Sequence, residues 1–384
     1  MSQIMDVLGP FLDFALSDPV ANVGDDPAAC DFLFGNPHEV APQAYVDAVV
    51  AGTAPTGPQH YAYTMNDGRA VATIAAGLRE RFGLPFEPGD IMMTNGNFTG
   101  MAAVLRALCD PGDEVIFVSP PWFFYETLIV SAGATPVRVL ADRETFDLDL
   151  VAIEDAITER TRVLIVNSPN NPSGRIYPRD QLDALAALLT SARGRHGDPI
   201  HLLSDEAYHR IVFDGRPFTT PLESYPHSSM LYTYGKTHLA PGNRLGYVAL
   251  HPEMPGKEDL VLPLLTAVVT GGWGFPVSTL QHAIADLEAV GPDLDRLQRR
   301  RDLLVGTLRE QGYELIEPEG TFYILVRSPD PDDQAFCAAL REHGVFVLPG
   351  ATFEMPGWFR ISITASDEMC ERAIPGFARA IEGR

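Results

Sequence analysis

The residue whose chemistry is hardest to replace in this chain is a lysine. Twenty-six arginines accompany only two lysines, Lys236 and Lys257. Only a lysine can lose its proton, attack an aldehyde and form a Schiff base, because a guanidinium stays charged. Lys257 lies in Pro255-Gly256-Lys257-Glu258-Asp259, a polar turn composition. Lys236 follows the apolar run Leu231-Tyr232-Thr233-Tyr234 and Gly235. A strand runs out into a loop there, which is where open α/β sheets hold their ligands. Gly235-Lys236-Thr237 also matches the tail of a phosphate-binding P-loop, but the glycine that motif needs five residues earlier is Met230. Taken alone, Lys236 leaves two readings open, a Schiff-base amine and a solvated surface charge.

Four more loops follow apolar runs. Thr94-Asn95-Gly96-Asn97-Phe98-Thr99-Gly100 opens a helix, and small polar residues there leave backbone N–H groups free for an anion or simply cap the helix. Trp122, in Ser119-Pro120-Pro121-Trp122-Phe123-Phe124-Tyr125, can stack on a flat ring or belong to the core. Asn167-Ser168-Pro169-Asn170-Asn171-Pro172-Ser173-Gly174 is stiffened by prolines and offers amide side chains to a ligand, or is an ordinary turn. Ser204-Asp205-Glu206-Ala207-Tyr208 places an aspartate where it can hold a protonated ring nitrogen or cap a helix.

The elements that must position these loops alternate. Ile91–Thr94, Val115–Val118, Pro136–Leu140, Val163–Val166, Ile200–Leu203, Met230–Thr233 and Leu245–Leu250 read as short apolar strands separated by helical patterns. That predicts a largely parallel sheet covered on both faces. One such pattern begins at Asp67, with Val71, Ile74, Ala75, Leu78 and Phe82 on one face. After Pro276 helices dominate, around Leu294–Leu308 and Gln334–His343, with a hairpin-like stretch at Gly320–Val326, a strand at Phe359–Ile363 and a last helix carrying Ala373, Ile374, Phe377, Ala378 and Ile381 inward. This predicts a second, smaller α+β lobe with the boundary inside Ser278–Gly291. Residues 1–42 show little regular pattern and form an arm expected to pack with that lobe.

Composition narrows the function. At 384 residues the chain is long enough for two lobes. A formal net charge of −23 argues against nucleic acid or an anionic membrane, both polyanions. Cys30, Cys109, Cys337 and Cys370 are widely spaced, with no CxxC pair and no partnered histidines, so neither a zinc site nor a disulfide framework is expected. The acidic amino terminus does not read as a secretory signal, and no apolar run reaches the length of a membrane span. A cytoplasmic protein is expected.

Together these motifs resemble the class I/II aminotransferases of the aspartate aminotransferase family, fold type I of the pyridoxal 5′-phosphate (PLP) enzymes. The resemblance runs from Gly35 to Arg360. It is carried by Asn167–Gly174, by Ser204–Tyr208, and by Lys236 with Arg244 in Gly242-Asn243-Arg244-Leu245-Gly246-Tyr247. It implies an α/β fold with a seven-stranded, mainly parallel sheet in a large PLP-binding domain (43–284), a small domain (285–384), and the arm (1–42) joined to the latter. Lys236 would form the internal aldimine and move the proton at Cα. Asp205 would pair with the pyridine nitrogen, Trp122 would stack on the ring, and Tyr208 and Asn171 would reach its phenolic oxygen. Gly96, Asn97, Phe98, Thr233 and Arg244 would hold the phosphate, with Tyr63 arriving from a partner subunit. Arg360 would grip the substrate carboxylate, with Gly35, Asn171 and Trp122 beside the substrate.

The resemblance further implies a homodimer with shared active sites, exchanging an amino group between an L-amino acid and a 2-oxo acid. Elimination, replacement, cyclisation or decarboxylation on the same fold remain open alternatives, and a PLP-binding sensor is the non-enzymatic one. The sequence departs from the family where Ala72-Thr73 stands in place of a Leu-Arg pair and where Gly235 directly precedes Lys236. No Lys or Arg occurs between Lys257 and Arg296, a stretch from which some relatives supply an arginine for a second carboxylate, so aspartate is not expected as the chief donor.

Overall fold

The structure, a computed structural model, describes residues 3–382. Its largest sheet has seven strands: β1 (Ile91–Thr94), β2 (Glu114–Ser119), β3 (Thr135–Leu140), β4 (Thr161–Asn167), β5 (His201–Asp205), β6 (Ser228–Thr233) and β7 (Gly246–Leu250). They lie in the order β1-β7-β6-β5-β4-β2-β3. β7 runs antiparallel to both its neighbours and every other pairing is parallel. All seven strands expected from the apolar runs are present.

Continuous apolar runs suit these strands because both faces are buried. Val115, Phe117, Val163, Ile165, Leu203 and Val248 pack with Met101, Val104 and Leu105 of the helix Asn97–Leu108. The alternate residues Ile116, Val118, Leu164, Val166 and Leu202 meet Leu182, Leu185 and Leu189 on the other side. Side chains along a strand point alternately to opposite faces, so each strand feeds two cores. The helix Gly68–Phe82 starts where the Asp67 carboxylate accepts the backbone N–H groups of Arg69 and Ala70 at 3.1 and 3.0 Å. It ends at Gly83, which at φ 71° adopts the left-handed conformation that a side chain would strain. Ala70, Val71, Ile74, Ala75 and Leu78 are its buried residues, and Phe82 at its end is half-buried.

A four-stranded antiparallel sheet, in the order Leu348–Pro349, Trp358–Ser362, Tyr323–Arg327, Leu315–Ile316, forms a second centre. Helices Leu294–Glu310, Asp333–Glu342 and Asp367–Glu382 share a core with it, and Cys30 and Phe32 belong to the same core. Cys30–Asp31 pairs in parallel with Val345–Phe346, and the Ser362 N–H donates to the Phe32 carbonyl at 3.0 Å. Among the described residues no helix is long and apolar enough to cross a membrane, and the four cysteines are buried and free.

The arm differs from the sequence reading at its start. Gln3–Ala15 is helical, although Gly9-Pro10 breaks the pattern in composition. Tertiary packing overrides that propensity: the Phe11 ring stacks on Phe123 at 4.2 Å, and Phe14 packs with Leu348, Phe353 and Trp358.

Candidate active site

The carboxyl ends of β1, β2, β4, β5 and β6 share one edge of the sheet, and a cavity of about 310 Å³ opens there. Nine of the thirteen residues singled out from sequence line it: Asn97, Phe98, Trp122, Asn171, Asp205, Tyr208, Thr233, Lys236 and Arg244. Gly96 touches Arg244 behind that wall. Arg360 lies over the Tyr323 ring, and Gly35 packs so close that an added Cβ would fall 2.8 Å from Tyr323 Oη. Tyr63 lies outside the cavity, 89% exposed, with its ring 5.3 Å from that of Phe275.

Lys236 sits in a single helical turn, Tyr234–Thr237, directly after β6. The Tyr234 N–H donates to the Leu245 carbonyl at 3.0 Å, which fixes the turn. A Cβ on Gly235 would come within 3.0 Å of the Pro241 Cα, so the backbone approach itself calls for glycine there. Lys236 Nζ faces two rings, 5.8 Å from the centroid of Tyr208 and 5.5 Å from that of Phe322.

Asp205, the last residue of β5, is buried among neutral donors. Tyr125 Oη donates to Oδ2 at 2.7 Å and Asn97 Nδ2 to Oδ1 at 2.8 Å. Asn167 Nδ2 holds the Asp205 carbonyl at 2.8 Å, while its own Oδ1 accepts the Asn171 N–H at 2.7 Å. Burial pushes the Asp205 carboxyl above its ordinary range, against the opposing pull of Tyr125, the Ala207 N–H, Asn97 and Lys236. A buried acid ringed by neutral donors is suited to a cationic group entering from the cavity.

At the other end, the helix Asn97–Leu108 begins at Gly96, φ 81°, with no side chain capping it. A Cβ on Gly96 would fall 2.6 Å from Arg244 Nη2 and 3.5 Å from Thr233 Oγ1. Unused helix N–H groups, a guanidinium and a hydroxyl thus converge on one point, the arrangement that binds a phosphate. Burial lowers the Arg244 pKa, and its Nη1 donates to the neutral Pro241 carbonyl at 2.7 Å.

Arg360 is 2% exposed, yet its partners are neutral. Nη1 donates to Asn171 Oδ1 at 2.9 Å and Nη2 to the Leu33 carbonyl at 3.1 Å, while Nε is buried without a partner. Its guanidinium lies over the Tyr323 ring at 3.9 Å. Tyr323 in turn hydrogen-bonds Tyr208. Burial carries the Tyr208 phenol well above its ordinary value, with Tyr323 adding to the rise. For Tyr323 burial acts in the same direction, but the Lys236 and Arg360 cations and the Tyr208 hydrogen bond outweigh it and bring that phenol below its ordinary value. A Cβ on Gly35 would strike the Phe322 ring at 2.6 Å and Tyr323 Oη at 2.8 Å, so only glycine lets the arm close against this group.

Four participants escaped the sequence reading as site residues. Tyr125 was one aromatic in a run, and Asn167 one amide in a polar loop. Tyr323 opens the strand Tyr323–Arg327 and Phe322 directly precedes it, and only the fold brings the two to Lys236. Hydrophobic pattern carries no signal that separates such residues from core.

Glu206, beside Asp205, points away into the protein, where Ser204 and Thr220 hydroxyls donate to Oε1 at 2.8 and 2.5 Å. Burial raises its pKa to about 8. The folded state therefore holds a proton that the unfolded chain releases near its ordinary value of 4.5. This group's contribution to stability is complete below pH 4.5 and is lost as pH rises to 8, at about 1.4 kcal/mol per unit. In Glu206→Gln that slope disappears. Denaturant titrations at pH 5.5 and 7.5 should show the variant gaining roughly 2–3 kcal/mol on the wild type between them; parallel curves would refute the assignment.

The chain matches the family model for aminotransferase class I and II over residues 59–377. It is 34% identical over 342 residues to an aspartate/prephenate aminotransferase of Cereibacter sphaeroides, covering 81% of each chain. It is 32% identical over 319 residues to the Thermus thermophilus enzyme of that name, covering 80% of each. An aminotransferase structure from Eubacterium rectale superimposes with a TM-score of 0.88 at 31% identity, over 100% of this chain and 96% of that one. The chain therefore belongs to the class I and II aminotransferases, and one edge of its sheet brings together a lysine after β6, an uncapped helix start beside an arginine, and a buried acid.

Proposed function

We propose that this aminotransferase moves an amino group between an L-amino acid and a 2-oxo acid, with PLP held between the Arg244 cradle and Asp205 and joined to Lys236. The family is generally PLP-dependent. The residues here fit that group, because one cavity combines a phosphate cradle, an amine and an acid awaiting a cation. Bound there, PLP supplies an electrophilic aldehyde and a ring that withdraws electrons from the Cα of the amino acid. Gly96, Asn97, Phe98, Thr233 and Arg244 would hold its phosphate, Trp122 would stack on the ring, and Tyr208 and Asn171 would reach its phenolic oxygen. Lys236 takes the proton from Cα and returns it one position away. Phe322 and the arm at Gly35 shield that amine from water.

The observation that carries this reading is Arg360, a buried guanidinium without an acid. Leaving a charge so placed is costly unless a ligand completes it, and a carboxylate does so with two parallel hydrogen bonds. Arg360→Gln is expected to raise the KM for the amino donor roughly 10²–10⁴-fold, the cost of about 3–5 kcal/mol for losing one partner of a buried charge pair. The absorbance of bound PLP would be retained, which reports an intact site. An unchanged KM would remove Arg360 from the substrate.

We further propose a cytoplasmic homodimer with shared active sites, in which Tyr63 reaches the phosphate of the partner subunit. The exposure of Tyr63, Phe275, Val277 and Val269 on one chain supports it. The division into an arm (1–42), a large domain (43–284) and a small domain (285–384) is proposed with it.

A further inference from the structure

We propose that the amino donor turned over best carries an aromatic side chain, seated against Phe98 at the mouth of the cavity. This rests on the amino-transfer reading above and names its substrate class. Phe98 is the second residue of the helix Asn97–Leu108, and it stays 38% exposed where Thr99 through Leu105 are buried. Its ring meets Trp122 edge-on at 4.6 Å and Phe124 at 4.8 Å. Behind them Phe123 lies 4.7 Å from Phe124, and Phe11 bridges Phe123 at 4.2 Å and Phe34 at 6.1 Å. Phe34 directly precedes Gly35, so this array runs from the phosphate cradle to the arm that closes over the substrate. Edge-to-face geometry of this kind accepts one more ring with little rearrangement.

Charge points the same way. Lys236, Arg244 and Arg360 are committed to the amine, the phosphate and the α-carboxylate. Arg106 is spread over the Trp273 ring at 5.0 Å, and Arg138 is held by Glu126 and Glu354 at 2.9 and 2.7 Å. A second carboxylate on the substrate would therefore lose its water beside Phe98 and find no cation there. The relatives' names include aspartate; the wall built by Phe98, Trp122 and Phe124 does not provide for its side chain.

The test loads the purified protein with PLP and follows the discharge of its absorbance by L-phenylalanine, L-tyrosine, L-leucine, L-aspartate and L-glutamate. Phenylalanine or tyrosine is expected to exceed aspartate in kcat/KM by about tenfold or more, the discrimination an apolar pocket gives. Phe98→Lys, which puts a cation on the wall, should shift the phenylalanine-to-aspartate ratio toward aspartate by about a hundredfold. Phe98→Leu should lower kcat/KM for phenylalanine and tyrosine more than for leucine. Aspartate, glutamate or leucine leading in the wild type overturns the proposal, as does an unmoved ratio in a Phe98→Lys protein that still binds PLP. Bound PLP that no amino acid discharges would instead refute amino transfer itself, and this inference with it.

Discussion

Lys236→Ala is expected to bind PLP through the phosphate cradle yet leave its absorbance unchanged by any amino donor. Two functions end together in this variant. The primary amine that joins the cofactor is gone, and so is the base that moves the proton at Cα. A single positioned acid–base group is worth about 10²–10⁴-fold, so steady-state transfer should fall by at least that factor. Lys236→Arg should be as inactive, because guanidinium keeps its proton. A small added amine such as methylamine should restore part of the proton transfer in Lys236→Ala. Lys257→Ala is the control: its Nζ is tied to Asp90 and the Pro252 carbonyl, away from the cavity, and activity should persist. A Lys236→Ala enzyme retaining more than about a hundredth of wild-type activity would be incompatible with the role assigned here.

Asp205→Asn is expected to give the second largest loss, about 10²–10⁴-fold in kcat, matching the roughly 3–5 kcal/mol cost of unpairing a buried charge. The substitution preserves size but not the pattern of donors. Tyr125 and Asn97 both donate to the carboxylate, and an amide nitrogen can accept from neither. Tyr125→Phe isolates one of those donors. Its hydrogen bond opposes the upward shift that burial gives Asp205. Without it the carboxyl protonates more readily, so the acidic limb of the pH–activity profile should move to higher pH. An Asp205→Asn enzyme with full kcat would mean that this carboxylate does not serve the ring nitrogen.

The sequence was most informative where one physical cause acted alone. Strands buried on both faces write themselves as unbroken apolar runs, and all seven could be read from runs such as Val163–Val166 and Val115–Val118. Polar loops stand out after such runs, so Lys236, Asp205 and Asn171 were visible as site candidates. Legibility fell where two causes overlapped. Glu258–Thr270 is apolar at so many positions that it shows no helical period, and it carries an internal proline. Gln3–Ala15 is held by contacts with Phe123 and Phe353, which lie far away in sequence. Tyr323 was hidden for a related reason: its strand reads as core, and its hydroxyl matters only because Arg360 covers its ring and Tyr208 meets it.

The direction of β7 sets a length. In a purely parallel sheet, residues after strands gather at one edge and residues before strands at the other. Because β7 runs against its neighbours, Arg244, which precedes it, shares an edge with Lys236, which follows β6. The seven residues between them form one short reversal, closed by Tyr234 N–H and Thr233 Oγ1 on the same Leu245 carbonyl at 3.0 and 3.1 Å. The amine and the guanidinium are therefore two marks on one rigid ruler. On the roles proposed for Lys236 and Arg244, a ligand that satisfies both must span that fixed interval, so the hairpin would select by the distance between a molecule's reactive carbon and its anionic end.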